Sequence, residues 1–178
     1  MENIFNQKTD HSTFTWESLG DIKEGRGTLG LEMPVLVYRL MQFTIYDVMT
    51  KNYGRDQADK ILYDAGHLAG SEYAKNALNL KQDLNNFVAS LQDSLATLKV
   101  GILRVESIDA EAKNIILTVA EDLDCSGLPL TDEAVCIYDE GFIAGILEVY
   151  TGVPYSVKEI DCWASGDRIC RFKCTAGA

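Results

Sequence analysis

The sequence predicts an α+β domain, in which an antiparallel sheet of about four strands packs against a layer of about four helices. Three observations lead to this prediction. Apolar residues recur at helical spacing through most of the chain before residue 99. After residue 100 the pattern changes to the alternation of strands. A long apolar helix and two short strands then close the chain, and helices and strands in separate blocks are typical of the α+β class.

Three helices are predicted in the first block, over residues 36–51, 55–78 and 81–98. Pro34 lies near the start of the first helix, where proline is tolerated, and Gly54 is placed to end it. The second helix carries a patch of small residues that permits close approach of another element. These residues are Ala65, Gly66, Ala69 and Gly70.

Two pairs of strands are predicted in the second block. Residues 100–106 and 114–119 form the first pair, and residues 155–161 and 169–173 form a closing hairpin. The turn of that hairpin is expected at residues 165–167, which read Ser-Gly-Asp.

A fourth helix is predicted between the two pairs of strands, over residues 131–150 and opened by Thr131 and Asp132. Apolar residues surround nearly its whole circumference. Such a helix is buried on most sides, so we expect it to be central, with the sheet on one side and other helices on the other.

The chain length of 178 residues and the hydrophobic fraction of 47% suit one domain with a proper core. We expect this domain to cover residues 25–178. Residues 1–24 are polar with isolated aromatic residues, and they predict an arm that is partly disordered or packs on the domain or on a second copy.

Composition excludes several functions. The net charge is −11 and the basic residues are scattered, which argues against binding to nucleic acid or to an anionic membrane. No apolar run approaches the ~20 residues that span a bilayer. The polar first 30 residues do not resemble a signal peptide, so we expect a cytoplasmic protein whose thiols stay reduced.

The motifs of common enzymes are absent from the sequence. The glycines of residues 25–30 are not followed by Gly-Lys-Ser/Thr and lack the setting of a dinucleotide fingerprint. Neither a Gly-x-Ser-x-Gly nor a His-Glu-x-x-His pattern occurs. We therefore expect no catalytic residue and no redox cofactor.

Four residues near the C-terminus are candidate ligands of a metal ion: Cys136, Glu159, Cys162 and Cys170. If Gly166 centres the hairpin turn, Cys162 and Cys170 lie opposite each other with Cβ atoms ~5 Å apart. Glu159 would then face the other side of the strand unless a β-bulge turns it inward.

Other interpretations of these residues remain open. Cys162 and Cys170 could form a cross-strand disulfide or be ordinary buried thiols, and Glu159 could pair with Lys173 on the surface. Cys174 should point to the same face as Cys170 but ~13 Å further along the strand, too far to share an ion. Cys125 is either buried or close to the metal as a spare thiol.

Residues 135–142, 158–162 and 166–172 resemble the 4-vinyl reductase domain family. That family shares its fold with ligand-sensing domains of aromatic-responsive transcription activators and with core subunits of the TRAPP tethering complex. The resemblance implies zinc held by Cys136, Glu159, Cys162 and Cys170. Such a site is coordinatively saturated, so the ion would be structural rather than catalytic. The resemblance also implies a homodimer with an apolar cavity between the central helix and the sheet.

The first functional hypothesis is therefore a non-catalytic domain that binds or senses a hydrophobic or aromatic small molecule and acts through a partner protein. Phe87, Phe142, Ile146 and Tyr150 either line the cavity or fill the core. The tryptophans lie outside the expected pocket, so phenol itself is not the expected ligand. Two alternatives are an accessory protein of tetrapyrrole biosynthesis that carries a pigment precursor, and a scaffold like the TRAPP subunits.

Overall fold

The computed structural model describes residues 14–109, 113–131 and 133–177, in two compact units that divide after Glu32. The first unit contains a short 3-10 helix, Trp16–Leu19, and the one-turn helix α1, Ile22–Gly25. Part of the predicted arm, residues 1–13, lies outside the described residues. The domain boundary at residue 25 stays a prediction.

The second unit begins with the three predicted helices. They are α2, Val35–Tyr53; α3, Arg55–Ala77; and α4, Leu84–Thr97. Gly54 lies between α2 and α3 with a φ of 81°, a conformation that glycine adopts without steric cost. Asp83 caps α4, because its side chain accepts a hydrogen bond from the backbone N–H of Asn86 (3.1 Å).

The sheet contains four antiparallel strands in the order β1-β2-β4-β3. The strands are β1, Ile102–Asp109; β2, Asn114–Ala120; β3, Tyr155–Asp161; and β4, Cys170–Ala176. Helices α2 to α4 precede the first strand, and α5, Ile137–Thr151, lies between the two strand pairs. The predicted α+β class is confirmed.

The predicted start of the fourth helix is wrong. Helix α5 begins at Ile137, six residues after Thr131, and Cys136 is its N-cap. Two residues before it, Thr131 and Glu133, bond to distant partners. The backbone N–H of Thr131 donates to the carbonyl of Ala164 (2.8 Å), and Glu133 forms a bidentate ion pair with Arg55. These contacts tie Thr131 and Glu133 to other parts of the fold, and α5 begins only at Ile137.

Helices α3 and α5 pack with their backbones in direct contact. Four glycines make this contact possible: Gly66 and Gly70 on α3, and Gly141 and Gly145 on α5. A Cβ atom built on any of them would lie 2.1 to 2.2 Å from a backbone oxygen of the opposite helix. The close approach predicted from the small residues of α3 is therefore confirmed.

Helix α5 is the central helix, as predicted. It packs on α3 and also on β3 of the sheet. Its buried residues include Ala144, Ile146 and Leu147. No helix among the described residues is both long enough and apolar enough to cross a membrane.

We expect Gly141→Ala to lower the free energy of unfolding by about 1–3 kcal/mol, because the added methyl group must push the two helices apart. Gly25→Ala is the control, since no atom lies within 4 Å of a Cβ built there. Urea unfolding, monitored by circular dichroism, measures the free energy of unfolding of both variants. Equal stability of the two variants would contradict the close contact.

Candidate metal centre

Four buried cysteines meet in one place. Their Sγ atoms lie within 4.8 Å of one another, and each residue is at most 1% exposed. Cys125 comes from the loop after β2, Cys136 caps α5, Cys162 follows β3, and Cys170 begins β4. We call these four residues the thiol cluster.

The distances within the thiol cluster suit a single metal ion. The Sγ atom of Cys136 lies 3.9 Å from those of Cys162 and Cys170, and the Sγ atoms of Cys125 and Cys170 are 3.1 Å apart. A tetrahedral zinc ion with Zn–S bonds of ~2.3 Å separates its sulfur ligands by about 3.8 Å. All five cysteines are free thiols.

Glu159 borders the thiol cluster without joining it. The register of β3 against β4 shifts between Glu159 and Asp161, which is the bulge that turns Glu159 inward, and Glu159 is only 5% exposed. It stands opposite Phe172 and not Lys173. Its Oε2 accepts the backbone N–H of Cys136 (3.1 Å), while its Oε1 is buried with no hydrogen-bond partner among the described residues.

Burial, and next the charge of Cys162, raises the pKa of Glu159 to about 8. Hydrogen bonds from the other three thiols of the cluster lower the pKa of Cys162. Hydrogen bonds with Cys125, Cys162 and Cys170 raise the pKa of Cys136.

The structure brings together three of the four residues expected as ligands and adds Cys125. Asp122 turns Cys125 inward, because its Oδ1 accepts the backbone N–H groups of Asp124 (2.8 Å) and Cys125 (3.1 Å). Cys174 is buried in β4 outside the cluster, opposite Ile115 and Val157. Nothing in the local sequence distinguishes Cys125 from an ordinary buried thiol, and only its proximity to Cys170 in the fold reveals it.

Helix α2 fixes the loop that carries Cys125. The Asp124 carboxylate is buried and accepts hydrogen bonds from the Tyr38 hydroxyl (2.7 Å) and the Gln42 amide (2.7 Å). The Arg39 guanidinium donates to the carbonyls of Leu123 (2.8 Å) and Ser126 (2.8 Å). Burial, and next the charge of Asp124, raises the pKa of Tyr38, so its hydroxyl keeps its proton.

An apolar cavity of about 40 Å³ lies beside the thiol cluster, between α4, α5 and the sheet. We call it the sheet cavity. Phe142 and Ile146 line it, as the sequence analysis allowed, whereas Phe87 and Tyr150 stack on each other with ring centroids 3.8 Å apart. The remaining lining residues include Leu91, Leu95, Leu103, Leu117, Val119 and Leu147.

Two carboxylates line the sheet cavity at the side of the thiol cluster. Asp122 and Asp139 each place an oxygen within 4.8 Å of the Cys136 sulfur and of each other. Burial, and then the charges of Asp124 and Asp122, raises the pKa of Asp139 well above its usual value. Burial, followed by the charge of Asp124, raises the pKa of Asp122 to about 6.

Comparison with known proteins shows what this α+β domain and its buried thiol cluster resemble. Residues 115–176 match the model of the 4-vinyl reductase domain. The predicted resemblance to this family is therefore confirmed over these residues. The chain is 27% identical over 145 residues to the uncharacterized protein MJ0150 of Methanocaldococcus jannaschii, covering 82% of this chain and 77% of that protein.

Solved structures share the fold. A vinyl-4-reductase family protein from Methanocaldococcus jannaschii matches with a TM-score of 0.59 at 16% identity, over 84% of this chain and 85% of that one. The phenol-responsive sensory domain of the transcription activator PoxR, solved with phenol, matches with a TM-score of 0.61 at 13% identity. The match covers 83% of this chain and 76% of that chain. A trafficking protein particle complex subunit 3 from Naegleria fowleri, covalently bound to palmitic acid, matches with a TM-score of 0.63 at 13% identity. The match covers 81% of this chain and 95% of that chain.

We expect Tyr38→Phe to lower the free energy of unfolding by about 1.5–3 kcal/mol, because it removes a hydrogen bond to a buried carboxylate. Tyr53→Phe is the matched control at the end of the same helix, where the side chain is 67% exposed. Urea unfolding and limited proteolysis within residues 121–128 measure the effect. If the two variants have the same free energy of unfolding, the hydrogen bond from Tyr38 to Asp124 does not stabilise the protein.

Proposed function

We propose that this chain is a non-catalytic domain that binds a hydrophobic small molecule and is held together by one structural zinc ion. The observation that carries the zinc proposal is the meeting of four buried thiols within 4.8 Å. Four thiolates saturate a tetrahedral zinc ion, so no position would be left for water or substrate. Iron–sulfur clusters place several metal atoms between their cysteines, which requires a wider spread of sulfur atoms than this one.

The proposed ligand set is Cys125, Cys136, Cys162 and Cys170. It differs from the set implied by the family resemblance, since Cys125 takes the place of Glu159. The ion would tie the β2–α5 loop to the start of α5 and to the closing hairpin. Its binding free energy would then contribute directly to folding. Glu159 would orient Cys136 by accepting its backbone N–H.

Metal analysis combined with native mass spectrometry tests this proposal. We expect one zinc ion per chain in the purified protein, and its loss in Cys125→Ser, because three thiolates would leave the site incomplete. Cys174→Ser and Glu159→Gln should keep the ion. Retention by Cys125→Ser together with loss in Glu159→Gln would assign the fourth position to Glu159. A wild-type protein free of metal would overturn the zinc proposal.

The sheet cavity supports the proposed ligand class. Its walls are almost entirely apolar, which suits hydrophobic or aromatic molecules. Two proteins of the same fold were solved with such molecules, phenol in one and palmitic acid in the other. The volume of about 40 Å³ is smaller than the ~150 Å³ of a cavity that takes benzene. A ligand would therefore have to displace α4, which covers the cavity with Leu91 and Leu95.

A thermal-shift titration with phenol and palmitic acid as probes tests the cavity. At ten times the Kd, we expect a probe to raise the Tm of the wild type by about 3–6 °C. Leu95→Phe fills the cavity and should abolish the shift. Leu98→Phe, at a position 55% exposed just after α4, should retain it. An equal shift in both variants would place the probe elsewhere.

The proposed output is a protein contact. Helix α2 has no buried residue and exposes many apolar side chains in the single chain. Among them are Leu36, Leu40, Met41 and Val48, each more than half exposed. Covering this face would remove apolar surface from water, which favours a homodimer or a partner protein. The native mass spectrum described above reports the number of chains directly. The same face favours a scaffold role as the second candidate function.

A further inference from the structure

A second cavity, which we call the helical cavity, shares no lining residue with the sheet cavity. It has a volume of about 200 Å³ and lies between α2, α3 and the segment before α5. Phe43, Leu62 and Val135 supply apolar walls. This volume exceeds the ~150 Å³ of a cavity that takes benzene, so it is large enough for a six-membered ring.

Two polar atoms at this cavity are buried and have no hydrogen-bond partner among the described residues. They are Oε1 of Gln42 and Oγ1 of Thr50, and both residues line the cavity. Buried polar atoms in folded proteins are nearly always paired, and an unpaired one calls for an explanation. A bound molecule that carries its own polar group is such an explanation.

The orientation of the Gln42 side chain is fixed. Its Nε2 donates to Oδ2 of the buried Asp124 carboxylate (2.7 Å). A flipped amide would set Oε1 against that carboxylate, which is repulsive. The Gln42 acceptor therefore stays unpaired, and only a hydrogen-bond donor can satisfy it.

The other polar groups of the cavity are already paired. The Tyr46 hydroxyl donates to Asp59 (2.6 Å), and Arg55 holds Glu133 through two hydrogen bonds. The Arg55 and Glu133 side chains are each about half exposed, so they form the solvent edge of the cavity. Because their charges offset each other, this edge does not select an ion.

We propose that the helical cavity binds a small neutral aromatic molecule with a hydroxyl group, which donates to Oε1 of Gln42. This site is separate from the sheet cavity and does not rest on the proposed zinc or hydrophobic ligand. Binding at this site would also affect the loop that carries Cys125, because Gln42 donates a hydrogen bond to Asp124, the neighbour of Cys125.

Benzyl alcohol is the probe, and toluene is the control that has the ring without the hydroxyl. The experiment is a titration of the full-length protein as purified, followed by 1H–15N NMR. We expect the Gln42 side-chain amide and the backbone amides of residues 122–126 to shift with benzyl alcohol. The alcohol should bind about tenfold more tightly than toluene, since it satisfies a buried acceptor.

Two variants locate the bound probe. Leu62→Phe fills the helical cavity and should weaken benzyl alcohol binding about tenfold or more. Leu95→Phe, which fills the sheet cavity, should leave it unchanged. The proposal is overturned if Leu95→Phe and not Leu62→Phe removes binding, if toluene binds as well as the alcohol, or if the cavity takes up only water.

Discussion

The backbone contact between α3 and α5 is the constraint from which the rest of the second unit is built. Since the glycines of each helix lie directly against the backbone of the other helix, a shift of α5 along α3 would bring residues with side chains into this contact. The resulting position of α5 sets the start of the helix and hence Cys136. It also sets Glu140, which is buried and accepts the backbone N–H of Glu159 (2.8 Å). The closing hairpin is thereby placed against α5 with its cysteines facing Cys136.

The acidic groups around the thiol cluster are stabilised by hydrogen bonds and not by positive charge on the donating groups. Asp122, Asp124 and Glu159 are all at most 5% exposed, and the clearest donors to them are backbone N–H groups and the side chains of α2. Burying acidic groups together is costly unless positive charge or hydrogen bonds compensate. A dication among the thiols would supply that positive charge at the point where the acidic groups converge.

The sequence correctly predicted the helices and strands that have strong apolar periodicity. It did not predict the features that depend on contacts between residues far apart in the chain. The helices of the first block and all four strands follow from apolar spacing. The start of α5 does not, because Thr131 and the residues after it look like a helix N-terminus until the bonds to Ala164 and Arg55 are known. The bulge at Glu159 was foreseen only as a condition for turning that residue inward. Cys125 lies 45 residues before Cys170, so their contact is a property of the fold and not of any motif.

Residues 122–125 take part in three features whose other residues are far away in the sequence: the sheet cavity, the thiol cluster and the contacts of the helical cavity. Asp122 lines the sheet cavity, Cys125 belongs to the thiol cluster, and Asp124 is held by Gln42, which lines the helical cavity. Helix α2, which holds this loop through hydrogen bonds, also exposes apolar side chains on its surface. A displacement of the loop must therefore either break buried hydrogen bonds to α2 or move α2 with it. Because unpaired buried groups are costly, we expect a displacement of the loop to move α2 with it.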